Sequence, residues 1–214
     1  MHIAAKGDEE RKGAFFSKGI PPGVTIQWAE AGDTLASVEA DAYFDLLFDN
    51  NFLPANEFIT GKPVFVSAVT CTAKEIGHPN YIRLNGWSGF LERPVIEVAA
   101  MHDAIKPAAE NILQAFGWQY TWAPDEPGMI AARVISMIIN EAYFGLADGI
   151  STREEIDIAM KLGTNYPYGP FEWAAKIGVE NIYFLLKKLQ KQYGDRYQPS
   201  GLLEQEVLNN GVTA

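Results

Sequence analysis

The strand signal in this chain stops at one place. Up to Ala123, short apolar runs rich in β-branched and aromatic residues alternate with segments of helical composition, whereas beyond Pro124-Asp125-Glu126-Pro127-Gly128 only helical periodicity remains. Strands alternating with helices predict a parallel sheet, because a parallel crossover needs a long connection that a helix supplies. MHIAA leads the strand candidates, followed by VTIQWAE (24–30), AYFDLLF (42–48), PVFVSAV (63–69), YIRLNGW (81–87) and PVIEVAA (94–100). A short helix is expected over DTLASVEA with Asp33 as its N-cap, and IKPAAENILQAFG (105–117) reads as a helix leading into WQYTWA. The expected organisation is an α/β domain over residues 1–123 and an all-helical domain over 124–214.

In the second half, MIAARVISMIINEAYFGL (129–146) is apolar on most faces, with Arg133, Ser136 and Asn140 as its polar stripe. Ser151 or Thr152 caps the next helix, REEIDIAMKLG. A tight, glycine-assisted turn from Tyr166 to Pro170 leads to FEWAAKIG and then to the amphipathic VENIYFLLKKLQKQYG. The tail from about Gln205 is expected to fray. Ile182, Phe184, Leu185 and Leu189 are expected to form an exposed apolar stripe that a second copy would cover.

Composition removes several functions. The 17 basic and 27 acidic side chains leave a formal net charge of -10, which argues against binding nucleic acid or an anionic membrane through bulk electrostatics. One cysteine, Cys71, forms no internal disulfide or thiolate cage, and His2, His78 and His102 have no ligand spacing, so no metal is expected. No apolar run is long enough to span a bilayer, and MHIAAKGDEERKG turns to charge after five residues, so a cytoplasmic protein is expected.

The words NEA (140–142), Ile156-Asp157 and KLGTNYPYGPFE (161–172), in this order, resemble the C-terminal domain of the NAD-dependent 3-hydroxyacyl-CoA dehydrogenases. More faintly, ADAYFDLLFDN (40–50), VFVSAVTCT (64–72) and RPVIEVAA (93–100) resemble strands of that family's nucleotide-binding domain. The resemblance implies a Rossmann-like parallel sheet domain, reduced in size here, followed by a helical dimerisation domain. It also implies NAD as cofactor, acyl-CoA as ligand, a homodimer and a role in fatty acid metabolism.

The family's reaction needs a proton-transfer group at the hydroxyl carbon, a histidine twelve residues before a glutamate that orients it. The glutamate falls on Glu97 and the histidine on Asn85, which does no acid-base chemistry. The family's substrate-contacting serine falls on Cys71 and its helix asparagine on Ala132, with Thr70 and Thr72 left as nearby hydroxyls. At the first strand-to-helix turn the family's glycine cradle is replaced by Lys6-Gly7-Asp8-Glu9-Glu10, where only Gly7 and a distant acid, Glu30, keep the spacing of a dinucleotide site. The expected protein is therefore a degenerate relative without bound NAD, acting by binding or partner interaction. The alternative is an active dehydrogenase with an altered site.

Overall fold

The computed structural model describes residues 1–29, 34–50 and 59–211. Two compact units result, Met1–Met129 and Ile130–Ala214. In the first, seven strands form one sheet: β1 (His2–Lys6), β2 (Thr25–Ala29), β3 (Ala42–Asp45), β4 (Val64–Ser67), β5 (Tyr81–Leu84), β6 (Val95–Ala100) and β7 (Gln119–Trp122). Their order is β2-β1-β3-β4-β5-β6-β7. The first five are mutually parallel, as the alternating pattern predicts. β6 pairs antiparallel with β5, and β7 runs parallel to β6, so the sheet is mixed at one end. The route from β5 to β6 passes through turns without a helix, and a connection of that kind returns the chain in the opposite direction.

Among the described residues three α-helices accompany the sheet: α1 (Glu9–Ser17), α2 (Ala73–Ile76) and α3 (Lys106–Ala115). On one face Phe15 of α1 is fully buried among Phe44, Phe116 and Trp118, with ring centroids 5.2–5.6 Å away in edge-to-face geometry. Phe44 stacks on Phe65 at 4.6 Å. This aromatic knot fixes α1 on the sheet, each edge-to-face pair adding about 0.5–1.5 kcal/mol to the burial. The helix expected over DTLASVEA is a single 3-10 turn, Leu35–Ser37, preceded by Thr34 without a side-chain cap bond; Asp33 lies outside the described residues.

The second unit contains α4 (Ala131–Ala147), α5 (Arg153–Thr164), α6 (Pro170–Ile177), α7 (Val179–Tyr193) and α8 (Gly201–Asn209). Thr152 caps α5 through a capping box with Glu155. Two expectations are corrected here. The tail does not fray at Gln205, because α8 continues through it and buries Leu203 and Val207. The stripe on α7 is not exposed either: Ile182, Leu185 and Leu189 are buried by the unit's own helices, and only Phe184 reaches solvent, 38% exposed. The polar stripe of α4 is internal. Asn140 donates to the Gln198 carbonyl at 2.9 Å and accepts from the Ser200 main-chain N–H at 2.8 Å, while Arg133 donates to the Tyr197 hydroxyl and stacks over Tyr193.

The turn from Tyr166 to Pro170 is tight for a reason of space. The Asp157 carboxylate accepts the main-chain N–H groups of Phe171 at 2.8 Å and Glu172 at 3.2 Å, capping α6. A Cβ on Gly169 would fall 2.3–2.4 Å from Asp157 atoms, so glycine is needed for approach and not for a left-handed backbone. Among the described residues no helix is long and apolar enough to cross a membrane.

Candidate functional site

The antiparallel β5–β6 register explains why a twelve-residue spacing matters. Ile82, Arg83 and Leu84 face Ala100, Ala99 and Val98, and the ladder continues with the Asn85 N–H donating to the Glu97 carbonyl at 3.3 Å. Residues opposed in this way send their side chains to the same side of the sheet. The two positions that the resemblance pairs are therefore neighbours.

Asn85 is 3% exposed. Its side-chain oxygen accepts the Trp87 N–H at 3.4 Å, and its amide nitrogen has no hydrogen-bond partner. The backbone here is tightly packed, since a Cβ on Gly86 would lie 2.6 Å from the Ser67 hydroxyl. Glu97 is half-buried and lies in the field of Arg93, whose pKa is drawn down by burial while Glu97 and Glu92 act in the opposite sense.

Cys71 lies elsewhere, on the loop after β4, with its thiol directed at the Thr72 carbonyl 3.5 Å away. That loop is held from three sides. Asp49 accepts the Val69 N–H at 2.5 Å and also bonds the main chain at Thr70 and Cys71. Arg83, with 0% exposure, donates to the carbonyls of Ala68 at 2.8 Å and Val69 at 2.9 Å and pairs with Asp125 at 2.7 Å. Asp125 in turn accepts the N–H groups of Ala73 and Lys74 at the start of α2. Burial pushes the Asp49 carboxyl up to about 6, against the pull of these N–H groups and of Arg83.

Sequence reasoning missed Asp49 and Arg83. A lone acid after a strand and an arginine inside one carry no local signal, and only the fold brings them to the loop. The Thr72 hydroxyl is committed to α2, where it accepts the Glu75 N–H at 3.1 Å, so it does not replace the missing serine. Ala132 is fully buried in α4.

At the first strand-to-helix turn, Asp8 caps α1: its carboxylate accepts the Arg11 N–H at 2.8 Å and pairs with the Arg11 guanidinium. Gly7 faces Trp28, and a Cβ there would meet the indole at 3.0 Å. Lys6 pairs with the buried Asp45 at 3.4 Å, and Lys12 with Glu9 at 3.5 Å. Beside the ends of β1 and β3, Lys6 and Asp45 line a small cavity of about 50 Å³ together with Phe48, Val66 and Tyr81. Glu30, the expected ribose-binding acid, lies outside the described residues. Among the described residues no group of three or more His, Cys, Asp or Glu side chains is arranged to hold a metal.

Residues 128–213 match the family model of the 3-hydroxyacyl-CoA dehydrogenase C-terminal domain. The 3-hydroxyadipyl-CoA dehydrogenase of Escherichia coli (strain K12) is 44% identical over 115 residues, which is 53% of this chain and 24% of that protein. The chain spans about a quarter to two fifths of the length of such curated relatives. Among solved structures, 3-hydroxybutyryl-CoA dehydrogenase from E. coli K12 is 35% identical with a TM-score of 0.59, covering 69% of this chain and 32% of that one. Mycobacterium tuberculosis FadB2 matches 98% of this chain and 93% of its own, with a TM-score of 0.74 at 14% identity, a likeness of fold.

Proposed function

We propose that this chain, whose helical half matches the C-terminal domain of the 3-hydroxyacyl-CoA dehydrogenase family, is a member that has kept the scaffold and lost turnover. It acts as a cytoplasmic binding or partner-interaction protein, with an acyl-CoA as the ligand its membership points to. One observation carries the reading: the residue opposite Glu97 is Asn85, buried, turned to the Trp87 main chain and unable to take or give a proton. Loss of such a group costs a family reaction roughly 10²- to 10⁴-fold. The retained Glu97 favours a second reading, an active NAD-dependent dehydrogenase with an altered site.

Turnover decides between them. Purified protein with 3-hydroxybutyryl-CoA and NAD is expected to give no absorbance change at 340 nm above background, while titration with acetoacetyl-CoA gives saturable heat. A robust rate that Glu97→Gln abolishes restores the second reading.

We also propose a homodimer through the helical unit. The support is on α4 and α5, where Ile138, Ala142, Gly145, Ile156 and Met160, with Glu141, line a mostly apolar groove of about 350 Å³. Ile150, between the two helices, also lines it and is exposed, as is Val134, one turn before Ile138 on α4. A two-fold contact would cover the same patch on each copy.

A further inference from the structure

The dinucleotide that the family implies does not fit the residues present at the first strand-to-helix turn. We infer that this turn is filled by the chain's own anion, the Asp8 carboxylate standing where a diphosphate would, so that the α/β unit accepts no dinucleotide.

A diphosphate at such a turn needs three things: free N–H groups at the helix start, a backbone it can approach closely, and no competing negative charge. Each is missing. Asp8 takes the Arg11 N–H at 2.8 Å, the third donor of α1. The close approach that glycine provides at position 7 is used by Trp28, whose indole a Cβ would meet at 3.0 Å, and by Leu46 at 3.4 Å. Trp28 is itself fixed edge-on to Phe15 at 5.9 Å, so moving it aside disturbs the aromatic knot.

The cations are also committed. The three basic side chains nearest the turn, Lys6, Arg11 and Lys12, pair with Asp45, Asp8 and Glu9. To recruit any of them a diphosphate must first separate an ion pair, one of which, Lys6–Asp45, is buried. The surrounding field is unfavourable, because residues 1–129 hold 17 acidic and 9 basic side chains. The cavity that described residues form beside Lys6 and Asp45 measures about 50 Å³, against several hundred for a pocket that holds a drug-sized ligand.

The inference starts from the family membership used above and deepens the loss-of-turnover reading, but its readout is binding and not catalysis. Calorimetry of the full chain with NADH is expected to show no saturable isotherm; a Kd of about 1 mM or tighter overturns it. Inorganic pyrophosphate then probes the turn directly through ³¹P line broadening. Asp8→Asn keeps the oxygen that accepts the Arg11 N–H and removes the charge, and Asp8→Ser does the same with a shorter cap. Either is expected to bind pyrophosphate about fivefold more tightly than wild type, the weight of one helix-terminus charge. If both fold, by circular dichroism, and neither broadens the line beyond wild type, Asp8 is not the excluding group and the inference falls.

Discussion

Asn85 and Glu97 stand opposite each other on neighbouring antiparallel strands, linked by a main-chain hydrogen bond of 3.3 Å. A histidine at position 85 would therefore lie beside the carboxylate that orients it in the family. Asn85→His alone is nevertheless expected to give no measurable oxidation of 3-hydroxybutyryl-CoA, because Cys71, Ala132 and the cofactor turn differ as well. Stopped assays at 340 nm with saturating NAD check this. A rate within about 10²-fold of an ordinary family member would show that proton transfer was the one missing element.

Asp49 predicts an unusual pH response. Its folded pKa, about 6, is raised above the ordinary 3.8, so the folded state holds the proton more tightly than the unfolded chain does. The stability from this group is then complete below about pH 4 and is lost as pH rises through about 6. Asp49→Asn should flatten the dependence over that window by about 2 kcal/mol, visible as a Tm that no longer falls between the two pH values. An unchanged slope would mean that Asp49 titrates normally.

The parallel part of the sheet was legible because its strands alternate with helical segments, and the start of α5 was legible to within two residues, Ser151 or Thr152, of which Thr152 is the cap. The mixed edge was not. Nothing local in PVIEVAA says that it runs against YIRLNGW; the direction follows from the absence of a crossover helix between them. Apolar content likewise misled on α7, since Ile182, Leu185 and Leu189 look the same whether their cover comes from the same chain or another. The pairing of position 85 with Glu97 came through resemblance, whereas the clamp of Asp49, Arg83 and Asp125 on the 68–74 loop required four separate segments to meet.

Gly169 and Asp157 give a stability test free of function. A methyl group at 169 forces the Asp157 carboxylate away from the N–H groups of Phe171 and Glu172, so Gly169→Ala should cost about 1–3 kcal/mol in urea unfolding. Asp157→Ala removes the cap and makes the room at once. The double variant should be less destabilised than the sum of the two singles, since both act on one contact. Strict additivity would argue that the glycine serves something else.

Assembly distinguishes two surfaces on the helical unit. If the copies meet at the α4–α5 groove, Ile150, which lines it and is 74% exposed, lies in the contact, and a glutamate there places an unpaired charge in an apolar interface. Phe184 on α7 is 38% exposed, but its apolar neighbours along the helix are already buried within the unit, so it offers an isolated ring and not a continuous face. Light scattering of the wild type should therefore give twice the 23.6 kDa monomer mass. Ile150→Glu should return it to the monomer, while Phe184→Glu should leave it dimeric. A monomeric wild type at micromolar concentration refutes the dimer. A dimer split by Phe184→Glu and untouched by Ile150→Glu moves the contact to α7 and removes the α4–α5 groove from the argument.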